Sequence, residues 1–269
     1  MKTTLLKNWV QPNTKEEETR LRDAGFRWGK KGTHTSRTIM LDELQALLTS
    51  CRPDATPEEY VSAIIEDNCL GKRTLATRRL SLQRLSELYA LDPKVLLFRI
   101  MRHFWYADHS GKKILALLLA LARDPLLRAT ANTVVVMRPG EELARQPMLD
   151  ALNRTAGGRF NEGTLNKIMR NAASSWTQTG HLKGRSHKIR QSVTTTAFTT
   201  AYALLLGYLT GTRGSTLFET PWAQVLVTPP NELINLAMDA RRLGLIDMSQ
   251  AGGVVEVAFP RLMVPDEGR

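Results

Sequence analysis

Apolar residues recur at intervals of three and four along most of this 269-residue chain, which is the spacing of amphipathic helices. The pattern predicts helices over 39–48, 57–67, 72–91, 92–105, 112–123, 139–152, 162–179, 196–209, 215–227 and 230–243. β-prone runs at 134–136, 181–183, 188–196 and 254–259 predict short strands. The predicted fold class is therefore mainly α, a helical bundle with helix-turn-helix and winged-helix elements and short β-hairpins.

Breaks in this pattern divide the chain into three predicted parts. Residues 1–55 read as a partly helical lead-in, 56–155 as a basic helical domain, and 156–269 as a winged-helix-like region followed by further helices and a hairpin. The glycine pair Gly157 and Gly158 marks the main boundary. Thr56, Pro57 and Glu59 predict a capped helix start just after the first boundary.

Neither strongly apolar run, 114–122 or 197–209, reaches the ~20 residues that a membrane span needs, so both predict buried core helices. The N-terminus lacks the pattern of a secretion signal, and Cys51 and Cys69 are too few for a disulfide scaffold. We therefore expect a cytoplasmic protein with reduced cysteines and no membrane partner.

The net charge of +11 is concentrated in two blocks. Residues 71–128 hold twelve Lys and Arg against four acids, and residues 153–190 hold eight against Glu162 alone. The two blocks together carry +15, so the rest of the chain is slightly acidic. Such concentration favours a nucleic-acid partner over a uniformly solvated basic surface.

The second block follows the element order of a winged helix from its recognition helix onward. Helix 162–179 is followed by Gly180, a short extended piece, a basic turn and a β-prone run. We expect its polar face to enter or flank the major groove through Asn166, Lys167, Arg170 and Asn171. We expect the wing to contact DNA phosphates through Lys183, Arg185, His187, Lys188 and Arg190. The alternative is that residues 166–171 form a solvated helix face and that the basic hairpin contacts another protein.

The first block resembles a helix-turn-helix, with helix 58–67, a turn at 68–71 and a basic helix start at residue 72. The N-terminal end of a recognition helix lies nearest to base edges and phosphates. The predicted contacts there are Lys72, Arg73, Thr74, Thr77, Arg78 and Arg84, although Arg78 also flanks the apolar face and is a candidate for packing.

Catalytic chemistry is not indicated by the sequence. Residues 158–164 have the glycine spacing of a phosphate-binding loop but lack its lysine, and His103, Asp108 and His109 have no fourth metal ligand in view. We expect a protein without enzymatic activity, cofactor or metal.

Two segments carry a family resemblance. Residues 72–79, KRTLATRR, are similar to a KRSPATARR-like run that opens a helix in the BrxA family, accessory proteins of bacteriophage exclusion (BREX) systems; Thr74-Leu75 replaces the family's Ser-Pro. Residues 164–168 together with 176–182 resemble the family's helix-to-GYL segment. Over residues 56–195, the resemblance implies an all-α, non-enzymatic, DNA-binding component of an anti-phage island that works with partner proteins.

The resulting hypothesis is a non-catalytic, double-stranded-DNA-binding component of a BREX-like defence system, with other defence proteins as partners. The alternative is a protein-interaction scaffold or transcriptional regulator that docks an acidic partner.

Overall fold

The computed structural model describes residues 9, 11–29, 32–252 and 254–264, so the first eight residues of the predicted lead-in lie outside the described part. The helices are α1 (Lys15–Ala24), α2 (Leu41–Ser50), α3 (Pro57–Ile65), α4 (Leu75–Tyr89), α5 (Leu96–Ala107), α6 (Lys112–Arg123), α7 (Pro125–Ala129), α8 (Ala131–Val135), α9 (Arg145–Ala156), α10 (Glu162–Gln178), α11 (Ala197–Leu209), α12 (Pro221–Gln224), α13 (Pro230–Arg242) and α14 (Pro260–Met263). Short 3₁₀ turns lie at Thr33–Thr35 and Gly214–Glu219. Two antiparallel hairpins pair β1 (Leu182–Lys183) with β2 (Ile189–Arg190) and β3 (Asp247–Ala251) with β4 (Val254–Ala258). The fold is mainly α with short hairpins, as predicted.

Two helices are buried on all sides over most of their length. Every residue from Ile114 to Ala122 of α6 is buried, and so is every residue from Thr199 to Gly207 of α11. A helix without a polar face has to be covered on all sides, and here α6 packs against α4, α5, α7 and α11. Each fully buried Leu contributes about 1.5–3 kcal/mol, so these helices supply much of the stability of the fold. Both were predicted as core helices, and both predictions are confirmed.

Local capping sets where the helices begin. At α3 the Thr56 hydroxyl accepts from the Glu59 N–H and the Glu59 carboxylate accepts from the Thr56 N–H, which confirms the predicted capping box. The predicted start of the next helix at residue 72 is wrong, because Thr74 forms the same reciprocal cap with Thr77 and α4 begins at Leu75. Likewise α5 begins at Leu96 rather than at residue 92, after Ala90 and Leu91 adopt positive φ.

Three predicted elements differ because tertiary contacts override local propensity. The β-prone run 134–136 belongs to the end of α8, where Ala131 and Val134 are buried one turn apart. Residues 139–142 do not start a helix, because this segment pairs with β2 and α9 begins only at Arg145. The predicted strand 188–196 is only two residues long, Ile189–Arg190.

Buried residues from all three predicted parts of the chain belong to one apolar cluster, which runs from Leu21 to Phe259. α9 and α10 also pack against each other across the glycine pair at 157–158. The three-part division thus describes the order of the chain, and the described residues share one core. None of the described helices combines the length and apolar character needed to cross a membrane.

Candidate nucleic-acid interface

Helix α10 is anchored on one side to the core. It starts where the Asn161 side chain accepts from the Thr164 N–H at 2.8 Å, the usual N-cap bond for Asn. Ile168, Ala172 and Trp176 form its buried face. The Trp176 Nε1–H donates to the Thr130 hydroxyl at 2.8 Å, so the helix is fixed in rotation as well as in position.

A small sheet lies beside α10. Besides pairing with β1, strand β2 pairs with the extended segment 140–143: the Leu143 N–H donates to the Lys188 carbonyl at 2.8 Å, and the Gly140 N–H donates to the Arg190 carbonyl at 2.9 Å. The order across the sheet is 140–143, β2, β1. The predicted sequence of helix, glycine turn, strand, basic turn and strand is present, and the edge segment before α9 adds a third member to the sheet.

The polar residues of α10 form two stripes with different surroundings. Along one stripe, Asn171 donates its side-chain amide N–H to the His34 carbonyl at 2.9 Å, and Gln178 bonds with Leu41 and Thr38. This stripe holds the N-terminal part of the chain, so the prediction that Asn171 faces a DNA groove is wrong. The other stripe faces away from those contacts and consists of Lys167, Arg170, Ser174 and Thr177.

A cleft of about 700 Å³ separates this second stripe from the turn between β1 and β2. Arg170, Ser174 and Thr177 line its helical side, and Arg185 and Lys188 line its hairpin side. Arg145 at the start of α9 adds a further cation, and the described lining residues include no acid. The cleft therefore presents only positive charge.

The turn of the hairpin is held in one shape. Gly184 has φ +114°, and a Cβ there would collide with the His187 carbonyl oxygen, so glycine is required. The Lys188 ammonium donates to the Thr177 hydroxyl at 2.9 Å and to the Gly184 carbonyl at 3.2 Å, and its partial burial lowers the pKa of this amine. Lys188 thus ties the turn to α10.

Four of the five predicted wing contacts lie at or near the surface. Lys183 and Arg185 are exposed, and the exposed His187 lies 2.7 Å from the Glu142 carboxylate. Arg190 is fully buried, so the prediction that it contacts phosphate is wrong. Its guanidinium donates to the carbonyls of His181 and Gln191, and burial lowers its pKa. Within the described residues its Nε and Nη2 have no partner.

The remaining residues of α10 that are predicted to contact DNA differ in solvent exposure and in their hydrogen bonds. Lys167 and Arg170 are exposed. Asn166 is half-buried and accepts from the Arg145 guanidinium at 3.1 Å, while its amide donates to the Glu162 carbonyl. The sequence pattern does not identify Arg145, because it predicts the helix start at residue 139, whereas Arg145 is the first residue of α9.

Most of the predicted DNA contacts in the first basic block bond instead to other groups of this protein. Lys72 forms an ion pair with Glu43 at 2.9 Å, and the hydroxyls of Thr74 and Thr77 cap α4. Arg78 is half-buried and donates to the Ile65 carbonyl at 2.8 Å, so it links α4 to the end of α3. Of the six predicted contacts only Arg73 is an exposed cation.

Arg84 is turned toward a different region. Its guanidinium pairs with Glu87 at 2.7 Å in a half-buried contact, next to a cavity between α4 and the residues that precede α10. It lies neither at the start of α4 nor beside the cleft at the hairpin.

A Ser–His–Asp arrangement lies behind α10. His34 Nδ1 is 2.8 Å from the Asp124 carboxylate, and His34 Nε2 is 2.8 Å from the Ser175 hydroxyl. Burial alone would raise the pKa of Asp124, but the electrostatic interaction with His34 and hydrogen bonds from His34 and Leu127 outweigh it and lower that pKa.

This arrangement resembles that of a hydrolase triad, but all three side chains are buried. The Ser175 hydroxyl accepts from the Ile39 N–H and donates to the Asn171 carbonyl, and Asp124 caps α7. These hydrogen bonds join the N-terminal 3₁₀ turn to α7 and α10.

Among the described residues no group of three or more His, Cys, Asp or Glu side chains could hold a metal ion. Asp108 instead accepts from the N–H groups of Ser110 and Gly111 and from the Thr196 hydroxyl. It therefore links the start of α6 to the start of α11.

No protein-family model matches the chain, and no curated protein matches its sequence.

Proposed function

We propose that this chain is a non-catalytic protein that binds double-stranded DNA through α10 and the β1–β2 hairpin. The observation that carries the proposal is the cleft between the exposed stripe of α10 and the hairpin turn, whose charged lining residues are all basic. Around it, helix α9, helix α10, a two-stranded hairpin and an edge segment follow the order of a winged helix-turn-helix. That motif places its second helix in the major groove.

The dimensions and chemistry of the surface suit this role. The major groove is about 12 Å wide and admits an α-helix with its side chains. Arg170 lies in the middle of the stripe, where a guanidinium reaches guanine edges or phosphates. Lys183 and Arg185 on the hairpin supply phosphate contacts, which fix the register of the protein without reading sequence.

The biological setting we propose is bacterial anti-phage defence, in a cytoplasmic BREX-like system with other defence proteins as partners. The support is the sequence resemblance to the BrxA family. Its second segment, 164–168 with 176–182, covers the start and end of α10 and β1, and it includes Lys167 and Thr177 of the exposed stripe. Its first segment, 72–79, lies at the start of α4, where it builds the cap and the Arg78 contact.

The proposal is tested by measuring the affinity of the full chain for a fluorescent duplex of about 20 base pairs as salt rises from about 50 to 200 mM. With about five phosphate contacts, log K should fall against log salt with a slope of roughly −4 to −5. Absence of binding at the lowest salt, or binding that does not respond to salt, would contradict the proposal.

A protein-docking role is favoured by a second helix–hairpin unit, α13 with β3 and β4. Its surface exposes Leu243 at 57% and Val254 at 70%, and its exposed charges are mixed in sign. Under this alternative the chain docks a partner protein as a scaffold or transcriptional regulator. Co-purification of a partner that survives nuclease treatment, together with no shift of duplex DNA, would replace the first proposal with this one.

A further inference from the structure

A second basic site lies away from the hairpin, in a cavity of about 400 Å³. The cavity is bounded by the 3₁₀ turn at Thr33–Thr35, by α4, by the end of α6 and by the two residues that precede Asn161. Among the described residues, four arginines line it together with one acid and one aromatic ring: Arg27, Arg84, Arg123, Arg159, Glu87 and Phe160. The formal charge of this lining is +3.

Two of the arginines are fixed by the protein. Arg123 donates to the carbonyls of Gly25 at 2.7 Å, Glu87 at 3.1 Å and Ser86 at 3.2 Å. Burial lowers its pKa to about 10, with a smaller contribution from Arg27, so it remains a cation at neutral pH. Arg84 pairs with Glu87, and its Nε–H is buried without an acceptor among the described residues.

The other two arginines are exposed and largely uncommitted. The Arg27 guanidinium makes one long hydrogen bond, 3.3 Å to the Glu87 carbonyl. The Arg159 guanidinium lies 4.4 Å from the centre of the Phe160 ring, and within the described part of the chain it has no carboxylate partner. The cavity thus combines two cations held by hydrogen bonds or an ion pair with two exposed cations.

We propose that this cavity binds the phosphoryl group of a nucleotide. A planar guanidinium group can donate two parallel hydrogen bonds to two phosphoryl oxygens. The cavity holds four such groups, and the single negative charge of Glu87 neutralises only one of their four positive charges. The volume is within the range of small-ligand sites. Arg27 and Arg159 approach the phosphoryl oxygens from the open side, while Arg84 and Arg123 supply fixed positive charge.

The phosphoryl group has two possible sources. One is a free nucleotide. The other is the backbone of a nucleic-acid strand, which rests on the proposed function, because Arg159 and Phe160 directly precede the N-cap of α10, the helix proposed to bind duplex DNA. The chemistry of the pocket is the same for both, and the experiment separates them.

The test titrates the full chain with ATP, with inorganic phosphate and with duplex DNA, using wild type and Arg27→Ala/Arg159→Ala. The matched control is Arg20→Ala/Arg241→Ala, which removes two exposed arginines outside the cavity. Neither pair contributes a buried guanidinium, so both variants should fold, as thermal unfolding will check.

If the source is a free nucleotide, ATP binds the wild type and the pocket variant weakens that binding at least tenfold, while the control does not. If the source is a strand, ATP does not bind, but the pocket variant weakens duplex binding at least fivefold and reduces the salt slope by about 2 relative to the control.

Equal behaviour of the pocket variant and the control with every probe would overturn the inference. Because the ATP arm does not depend on duplex binding, failure of the pocket and failure of the DNA proposal are distinguishable.

Discussion

The two basic blocks carry nearly equal net charge, +8 for residues 71–128 and +7 for residues 153–190, but the structure uses them differently. In the first block four of twelve Lys and Arg side chains are exposed. In the second block six of eight are exposed. Net charge along a sequence therefore does not locate a binding surface by itself.

The difference comes from what surrounds the side chains. Several arginines of the first block donate to backbone carbonyls, as Arg78 does to Ile65, Arg102 to Ala55 and Arg123 to Gly25. A guanidinium on a long aliphatic stem suits this role, because it fills apolar space and satisfies a carbonyl that the helices leave unpaired. In the second block the hairpin and one stripe of α10 project into solvent.

The largest effect we predict tests the structural role of the first block. Arg102→Ala should lower the free energy of unfolding by about 3 kcal/mol, because it leaves the Ala55 carbonyl and the Tyr60 hydroxyl without their charged donor and removes the contact with Phe98. Urea denaturation measures this change.

The matched control is Arg73→Ala, an exposed residue of the same block, which should change stability by less than about 0.5 kcal/mol. Folded Arg102→Ala should bind DNA like wild type. A loss of DNA affinity without a loss of stability would reverse the roles that we assign to the two blocks.

An intermediate effect tests the second block directly. Arg170→Ala/Arg185→Ala removes one cation from each side of the cleft and should weaken duplex binding by about 2 kcal/mol, roughly 30-fold. Arg73→Ala/Arg79→Ala removes two exposed cations from the first block and should weaken binding less than about threefold. Fluorescence anisotropy at constant salt compares them; equal losses would place the interface on both blocks.

The smallest effect concerns a histidine of the second block that is not part of its surface. Burial, with a contribution from Arg190, lowers the pKa of His181 to about 3, and its ring lies 3.0 Å from the Val225 carbonyl. The unfolded chain takes up a proton near pH 6.5, whereas the folded chain does not. The contribution of His181 to the free energy of unfolding is therefore fully present above pH 6.5 and decreases as the pH falls toward 3.

Between pH 7 and 5.5 the free energy of unfolding should fall by about 1 kcal/mol through this residue. In His181→Gln, which keeps a donor for the Val225 carbonyl, that part of the pH dependence should be absent. An identical pH profile for wild type and variant would mean that His181 does not titrate differently on folding.

Much of the fold was predictable because it rests on local signals. The capping box at Thr56 and Glu59, the apolar runs of α6 and α11, and the amphipathic spacing of α10 all act within a few residues. The failures at 134–136 and 139–142 have one cause: burial against other elements and pairing with β2 decided structures that propensity alone does not.

The candidate site was predictable in position but not in detail. The order of helix, turn and hairpin identified α10 and β1–β2, and Lys167, Arg170, Lys183 and Arg185 are exposed as expected. The periodicity of α10 could not separate the stripe of Arg170 from the stripe of Asn171, since both are polar. Only the seating of the N-terminal turn against Asn171 shows which stripe is free.

The sequence by itself determined a mainly helical chain, its two core helices, and a helix–hairpin unit bearing concentrated positive charge, because helical periodicity, capping and glycine turns are local. The tertiary structure decided which cations remain available. It buried Arg190, joined His34, Asp124 and Ser175 behind α10, and brought Arg84 and Arg159, one from each basic block, to the same cavity. Packing between distant segments sets burial and proximity, and neither quantity is contained in the spacing of residues along the chain.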